Sequence, residues 1–253
     1  MPYRLAAQHK NNPKRQPQRL KELLTTDGWH TSPRPKAVIF DIGRVIVRLD
    51  LKRAFEPIAA AIGGTADRVT EHRVFDEHRA VKRLSAEDAW ELIRADERWQ
   101  DWQEGRMSPA EWHEHLMRRL NLSLGYAEFR ETWNLVLDPE TILCESLFVR
   151  LGERCRLALL SNTDPIHVEC LEQRFAFGRH FPVRVYSCSI GASKPSPIIY
   201  RATLERLGVA AHEALYIDDI QEFVDAARNV GMDAIRFETR DLLEDELRRR
   251  HLV

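Results

Sequence analysis

Four short apolar segments of the sequence end in, or are followed by, side chains that could do chemistry. The first segment ends in an aspartate, the second in a serine and an asparagine, and the fourth in two adjacent aspartates, while a lysine follows the third. These residues are Asp41, Ser161, Asn162, Lys194, Asp218 and Asp219. In a parallel sheet the carboxyl ends of the strands meet at one edge, where ligands bind. We therefore expect these six residues to share one site.

The residue types indicate phosphoryl chemistry at a metal. Carboxylates from two different strands repel each other unless a cation lies between them, and hard oxygen ligands suit Mg²⁺. A nearby lysine and hydroxyl would bind a phosphoryl group and neutralise its charge. The Asp41 carboxylate could then act as nucleophile and form an acyl phosphate that water breaks down. Taken singly, each residue could instead be an ordinary cap or turn former, and their order on four strands favours the site.

The segments that must position these groups are typical of buried strands in one sheet. The predicted strands cover 36–43, 156–162, 183–187, 214–219 and 233–237. Amphipathic helical stretches separate the later strands. This alternation predicts an α/β fold, in which helices cover both faces of a parallel sheet.

Residues 49–139 show helical periodicity and no strand-like run, which predicts a separate helical module. Serine residues mark two helix starts, at Ser85 and at Ser108, and the second of these helices extends to about Leu120. Large aromatics at helical spacing are predicted to pack the core of this module, with a place over the active site as the less favoured alternative. They are Trp90, Trp99, Trp102, Trp112, Phe129 and Trp133.

The domain boundaries follow from these patterns. Residues 36–48 and 140–253 form the predicted α/β core, and 49–139 form a helical cap inserted into it. Residues 1–35 are basic and poor in apolar side chains, so we expect a solvated tail, with a nucleic-acid arm or a transit peptide as alternatives.

Composition limits the location and the partners. The net charge of -1 argues against a general nucleic-acid or membrane binder. No apolar run approaches the roughly 20 residues that cross a bilayer. The four cysteines are widely spaced and form no C-x-x-C pair, which favours reduced thiols. We therefore expect a cytoplasmic protein that acts as a monomer or homodimer on a small phosphorylated metabolite.

Four segments resemble the signature motifs of the haloacid dehalogenase superfamily. They are Phe40–Val45 (FDIGRV), Leu160–Thr163 (LSNT), Gly191–Pro195 (GASKP) and Ile217–Ile220 (IDDI). The resemblance runs from about Lys36 to Glu238. It is nearest to the subgroup that contains bacterial α-D-glucose-1-phosphate phosphatase and the N-terminal phosphatase domain of mammalian soluble epoxide hydrolase. The cap segment 104–111 resembles the same subgroup. The resemblance implies a Rossmann-like core with an inserted helical cap of the C1 type, which acts as a lid.

The resemblance also implies a metal site. Asp41 would be both nucleophile and magnesium ligand, and the backbone carbonyl of Gly43 would be a second ligand. Asp219 would be the main acidic ligand of the fourth motif, with Asp218 beside it. The cofactor implied is Mg²⁺.

The remaining motif residues would hold the phosphoryl group. By the same resemblance, Ser161 and the Asn162 amide would bind its oxygens, and Lys194 would brace both the nucleophile and the phosphate. Arg44 follows the nucleophile loop and could bind a phosphate or carboxylate of the substrate through two hydrogen bonds. An exposed Arg44 that points elsewhere is the equal alternative.

Gly43 departs from the pattern of most phosphatases in the superfamily, which carry a second aspartate there. That aspartate protonates the leaving group, a contribution worth roughly 10²–10⁴ in rate. The subgroup named above shares the glycine, so we interpret Gly43 as a subgroup trait. Substitutes for the missing acid are sought among Asp50, Glu222, His113 and His115, whereas His167 is better explained by packing.

The main hypothesis is a Mg²⁺-dependent phosphatase that acts on a sugar-phosphate-like monoester through an aspartyl phosphate. One rival is a carbon-centred hydrolase of the same superfamily, against which the adjacent acids at 218 and 219 argue. The other rival is an idle binding protein, which Gly43 supports and the retention of Asp41 and Lys194 opposes.

Overall fold

The computed structural model describes residues 34–69 and 84–253 of the 253-residue chain. The tail predicted for 1–35 lies outside the described residues except for its last two positions. The strands are β1 Ala37–Phe40, β2 Val47–Leu49, β3 Leu137–Thr141, β4 Arg156–Ser161, β5 Val183–Tyr186, β6 Ala214–Asp218 and β7 Asp233–Arg236.

In the part of the chain that the structure describes, five helices follow β2 without an intervening strand, and the later helices lie between or after the strands from β3 onward. The helices are α1 Leu51–Val69, α2 Ala86–Arg94, α3 Trp99–Gln103, α4 Pro109–Arg119, α5 Tyr126–Asn134, α6 Glu145–Gly152, α7 Pro165–Arg174, α8 Ser187–Ile190, α9 Pro197–Leu207, α10 Gln221–Asn229 and α11 Arg240–Arg249. Short 3-10 helices cover Ala176–His180 and Ala211–Glu213. Among the described residues, no helix is both long enough and apolar enough to cross a bilayer.

Five parallel strands form the central sheet in the order β5-β4-β1-β6-β7. Ala37 of β1 pairs with Arg156 of β4 on one side and with Ala214 of β6 on the other. From β1 the chain first builds β4 and β5 on one side, then crosses to build β6 and β7 on the other. The strand order therefore reverses at the carboxyl end of β1, which is where open α/β sheets bind ligands. The five strands predicted from the sequence and the parallel sheet are confirmed.

Alternate residues of β1 face two apolar layers, as expected for a strand covered on both faces. Val38 and Phe40 join the layer that includes buried residues of α6 and α11. Ala37 and Ile39 join the opposite layer, which includes buried residues of α9 and α10. All four β1 side chains are fully buried, so the residue that follows them is held on a rigid element.

The helices α1–α5 enclose a third apolar cluster, separate from the two layers of the sheet. Trp102, Trp112, Phe129 and Trp133 are almost fully buried in it, and Trp90 and Trp99 pack against it partly exposed. The rings of Trp102 and Trp112 stack with centroids 5.6 Å apart. The prediction that these aromatics pack the cap is confirmed.

Two cap helices begin at the predicted serines. The Ser85 hydroxyl accepts the N–H of Asp88, and the Asp88 carboxylate accepts the N–H of Ser85. Ser108 and Glu111 make the same reciprocal pair at the start of α4. Each pair satisfies two N–H groups that a helix start otherwise leaves without partners, which explains why these starts could be read from the sequence.

The prediction that 49–139 contains no strand is wrong at its ends. β2 pairs antiparallel with β3, with Val47 opposite Thr141 and Leu49 opposite Leu137. The sequence of β3, LDPET, contains Pro139 and two acids, which are poor strand formers. Pairing with β2 therefore decides its conformation. The ribbon also places the two connections between core and cap side by side.

Candidate active site

Three of the predicted site residues meet at the reversal point of the sheet. Asp41 is the first residue after β1, and its N–H donates to the carbonyl of Ile217 on β6 at 2.9 Å. Its side chain is buried, with 7% of the residue exposed. Ser161 ends β4 and Asp218 ends β6, the two strands that flank β1. Neighbouring strands thus bring these side chains to one edge, as the sequence predicted.

Lys194 connects the strands at this edge. Its Nζ donates to Asp41 Oδ1 and to Asp218 Oδ2, both at 2.7 Å, and to the carbonyl of Leu160 at 3.3 Å. The residue is 4% exposed. Burial alone would lower the pKa of Lys194, but the carboxylates of Asp41 and Asp218 reverse this and raise it. The side chain is therefore a charged ammonium with three acceptors.

Three carboxylates crowd around this lysine. One oxygen each from Asp41, Asp218 and Asp219 lies within 4.8 Å of the other two. Burial raises the pKa of Asp41 to about 7, with Asp218 and Asp219 adding to the effect and Lys194 opposing it. Burial also raises the pKa of Asp219. The cluster carries more negative charge than its lysine neutralises.

The two adjacent aspartates have different surroundings. Asp218 is fully buried. Its Oδ2 accepts from Lys194 and from the Tyr216 hydroxyl, and its Oδ1 accepts the N–H of Ile220 at 2.8 Å. Asp219 is less buried, and its Oδ2 lies 3.0 Å from Nε of Arg44. These contacts enclose the Asp218 carboxylate and leave the Asp219 carboxylate the more accessible of the two.

Arg44 has a left-handed backbone with φ of 59°. This conformation costs a residue other than glycine roughly 1–2 kcal/mol. Its side chain is 59% exposed and pairs with Asp219. The guanidinium of Arg44 is thus exposed and lies at the site. The contact with substrate stays a prediction.

The Asn162 side chain holds the lysine loop. Its Nδ2 donates to the carbonyl of Lys194 at 2.9 Å, and its Oδ1 accepts the N–H of Lys194 at 2.8 Å. The side-chain amide therefore fixes the backbone of Lys194 from both sides. The phosphoryl contact predicted for Asn162 would have to use its backbone N–H.

A cavity of about 130 Å³ lies beside the nucleophile loop. Core and cap both contribute to its wall, which is formed by Ile42, Gly43, Leu49, Leu51, Phe55, Trp90, Trp99, Gln103, Trp133, Val136, Leu137, Ser161, Asn162, Thr163, Asp164, His167 and Leu171. Three aromatics that pack the cap, Trp90, Trp99 and Trp133, thus also face the cavity. The less favoured alternative, an aromatic near the site, therefore applies to them as well.

Gly43 faces an apolar neighbour. A Cβ atom at this position would lie 3.2 Å from Cδ1 of Leu49 and 3.8 Å from its Cδ2. Leu49 belongs to β2, where the chain leaves the core for the cap. The direction that a side chain at position 43 would take is therefore occupied by an aliphatic group.

The four residues considered for the missing acid lie away from the cavity wall that the structure describes. Asp50 accepts the N–H of Arg53 at the start of α1, and Glu222 is exposed in the first turn of α10. His113 Nε2 lies 2.8 Å from the carbonyl of Leu124. His115 Nε2 lies 2.9 Å from Asp96. His167 is on the wall.

His167 belongs to a buried group, here named the cap–core junction, that comprises Trp133, Asp164 and His167. Asp164 Oδ2 accepts the indole N–H of Trp133 at 3.0 Å and lies 2.8 Å from His167 Nδ1. His167 Nε2 lies 3.0 Å from the carbonyl of Trp133, and the two rings stack at 5.8 Å. Both partners of the imidazole are acceptors, so only its protonated form can donate to both.

The pKa shifts agree with this geometry. Burial would lower the pKa of His167, but the Asp164 carboxylate reverses this and raises it. Burial would raise the pKa of Asp164, but His167 and the donated hydrogen bonds lower it. Asp164 also caps the start of α7, because its Oδ1 accepts the N–H groups of Ile166 and His167. The packing role favoured for His167 agrees with these contacts.

A second contact joins the cap to the lysine loop. Glu104 Oε1 accepts the hydroxyl of Ser193 at 2.8 Å and its N–H at 3.2 Å. Gly105 follows with φ of 69°, and a Cβ there would lie 2.0 Å from the carbonyl oxygen of Cys188. Only glycine fits so close to the core backbone. The cap segment that resembles the family thus docks next to Lys194.

A parallel sheet with a buried aspartate after its central strand, a lysine, two further acids and a helical cap defines a class of α/β hydrolases. The family model of the haloacid dehalogenase-like hydrolases matches residues 35–231. The chain belongs to this family, as the four motifs predicted.

Individual relatives match over shorter stretches. A phosphorylated carbohydrates phosphatase of Thermotoga maritima is 32% identical over 112 residues, which is 44% of this chain and 51% of that protein. The bifunctional epoxide hydrolase 2 of Sus scrofa is 32% identical over 68 residues, which is 27% of this chain and 12% of that protein. The chain thus spans about half, or less, of the length of these relatives.

The fold also matches solved structures. A haloacid dehalogenase family enzyme of Bacteroides thetaiotaomicron, in complex with magnesium and inorganic phosphate, superposes with a TM-score of 0.64 and 21% identity. The match covers 81% of this chain and 96% of that one. At this identity it shows that the two chains share a fold.

Proposed function

We propose that this chain is a Mg²⁺-dependent phosphatase that hydrolyses a small phosphomonoester through a phosphorylated Asp41. The main support for the proposal is the position of Asp41, which is buried at the reversal point of the sheet. Its carboxylate accepts a hydrogen bond from Lys194 and lies close to two more carboxylates. Two further findings support it. The Thermotoga relative is named a phosphatase, and the Bacteroides structure holds magnesium and phosphate.

The donor set fits a hard divalent cation. Asp41, Asp219 and the backbone carbonyl of Gly43 would hold it, with Asp218 beside them. Burial and the neighbouring acids raise the pKa of Asp41 to about 7, so its ionised form would gain from added positive charge. Mg²⁺, when bound, would supply this charge and stabilise the negative oxygens of the transferring phosphoryl group. Oxygen-only ligands favour this ion over softer metals.

In the first step a carboxylate oxygen of Asp41 attacks phosphorus. The bond between phosphorus and the ester oxygen breaks, and that oxygen leaves and takes up a proton. Lys194 holds the attacking carboxylate in place and places its positive charge beside the group in transfer. Ser161 and the Asn162 N–H would donate to the phosphoryl oxygens.

In the second step water attacks the phosphorus of the acyl phosphate. The bond from phosphorus to Asp41 breaks, which regenerates the carboxylate and releases inorganic phosphate. Water gives up one proton and the leaving alcohol has taken up one, so the overall reaction is a hydrolysis. The cap, docked through Glu104 and the cap–core junction, would limit the access of other water molecules.

The test is phosphate release from a panel of small phosphomonoesters, with and without Mg²⁺. We expect turnover only with Mg²⁺, and a loss on the order of 10⁴-fold or more in Asp41→Asn, because the nucleophile is removed. Asp225→Asn is the matched control, since it removes one exposed acid on α10. Turnover of no ester by folded protein would contradict the proposal and favour the carbon-centred or idle alternatives.

A further inference from the structure

The cavity beside the nucleophile loop is the space that the organic part of a substrate would enter. Gly43, Ser161 and Asn162 belong to its wall, and these are the residues proposed to surround the phosphoryl group. Residues of the cap form much of the rest of the wall. A phosphomonoester bound to the site would therefore extend from polar motif loops into the cap.

The cap side of this wall is apolar and aromatic. Phe55, Trp90 and Trp99 present rings to it, and they pack on one another with centroid distances of 5.1 Å and 5.4 Å. Leu49 extends the aliphatic surface to the nucleophile loop, because a Cβ atom at Gly43 would lie 3.2 Å from its Cδ1. Such a wall gains free energy by covering apolar surface.

The two ionisable side chains of the wall already have partners within the protein. Asp164 and His167 are on the wall but are bonded to each other and to Trp133. Among the described cap residues of the wall, Gln103 is the one polar side chain without a ring. Aromatic faces also stack on sugars, but each buried sugar hydroxyl needs a hydrogen-bond partner or costs free energy.

The volume of the cavity limits the size of the organic group that a substrate can carry. Its volume is about 130 Å³. An engineered apolar cavity of about 150 Å³ in another protein takes up benzene. One six-membered ring therefore matches the space, and a longer chain or a second ring does not.

Resting on the proposed phosphatase function, we infer that the substrate is the phosphate ester of a compact apolar alcohol, with an organic group the size of one carbon ring. This differs from the sugar phosphate expected from the family resemblance. The name of the Thermotoga relative supports the sugar, whereas the wall of this cavity favours the carbon ring.

The experiment compares cyclohexylmethyl phosphate with glucose 6-phosphate at saturating Mg²⁺. Both are esters of a primary alcohol next to a six-membered ring, so they differ mainly in hydroxyl groups. We expect kcat/KM at least about 10-fold higher for cyclohexylmethyl phosphate, the scale of discrimination by an apolar pocket. A preference for glucose 6-phosphate would overturn the inference and keep the phosphatase. Turnover of neither ester, nor of any other, would overturn both.

Two wall variants test where the preference originates. Leu49→Asn and, separately, Leu51→Asn place an amide on the wall, and each should lower kcat/KM for cyclohexylmethyl phosphate about 10-fold more than for glucose 6-phosphate. Leu92→Asn is the control, because Leu92 is an exposed cap residue outside the wall, and it should change neither value. Thermal melting shows whether each variant is folded. An unchanged preference in both folded wall variants would overturn the inference.

Discussion

Two buried charge clusters follow strands of the same sheet, and they are built differently. At the active site, three carboxylates cluster together, and one buried lysine bonds two of them. At the cap–core junction, one carboxylate faces one imidazolium and accepts three N–H groups besides. The aspartates at the centre of the two clusters, Asp41 and Asp164, are both buried.

Their pKa values nevertheless shift in opposite directions. Burial raises the pKa of Asp41 to about 7, and the neighbouring acids add to this. Burial also acts to raise the pKa of Asp164, yet His167 and the other donors lower it. Burial acts to raise both pKa values, and the donors around each carboxylate decide whether this effect is reversed. The junction is complete with protein groups alone, whereas the active site suits an added cation.

The largest expected effect comes from removing the one buried cation of the active site. Lys194→Met should lower the free energy of unfolding without Mg²⁺ by about 3–5 kcal/mol, because it leaves buried carboxylates without their partner. Urea unfolding in chelator measures this. Lys36→Met removes an exposed lysine paired with Glu213 and should change stability by less than about 0.5 kcal/mol. Equal losses of stability in the two variants would contradict the prediction that Lys194 neutralises buried carboxylates.

Mg²⁺ should stabilise the protein through the active site and not through the junction. At a concentration 100 times its dissociation constant, a ligand of the folded state adds about 2.7 kcal/mol to the free energy of unfolding. We expect this gain, read as a rise in Tm, in the wild type and in His167→Gln. It should be lost in Asp219→Asn and kept in the control Asp225→Asn. A gain that survives Asp219→Asn would place the metal elsewhere.

The smallest effect is the pH dependence of the junction. Because folding raises the pKa of His167, this residue stabilises the folded protein fully below its pKa in the unfolded chain, near 6.5. This stabilisation is lost as pH rises through its pKa in the folded protein. Because folding lowers the pKa of Asp164, this residue stabilises the folded protein above its pKa in the unfolded chain. This stabilisation is lost as pH falls through its pKa in the folded protein. Each unit of difference between the folded and the unfolded pKa changes the free energy of unfolding by about 1.4 kcal/mol.

Urea unfolding from pH 6 to pH 9 tests the basic side of this range. The stability difference between wild type and His167→Gln should shrink as pH rises. His212→Gln, which changes an exposed histidine, should run parallel to the wild type throughout. A constant difference between wild type and His167→Gln would show that folding does not raise the pKa of His167.

The sequence by itself determined the features that depend on neighbours along the chain. The apolar run before Asp41 predicted a buried strand, and Ser85 and Ser108 predicted helix starts, because a strand pattern and a capping pair need only a few consecutive residues. The four motifs then predicted the family, and the order of the strands predicted one shared edge for Asp41, Lys194 and the acid pair.

Only the tertiary structure decided the contacts between distant segments. Trp133 meets Asp164 across 31 positions, and Asn162 holds Lys194 across 32. The β2–β3 ribbon joins segments about ninety residues apart, of which one is a poor strand former by itself. Such contacts depend on how the cap packs on the core. No local pattern in the sequence encodes them, because each partner alone has an ordinary explanation as a cap, a turn or a packed ring.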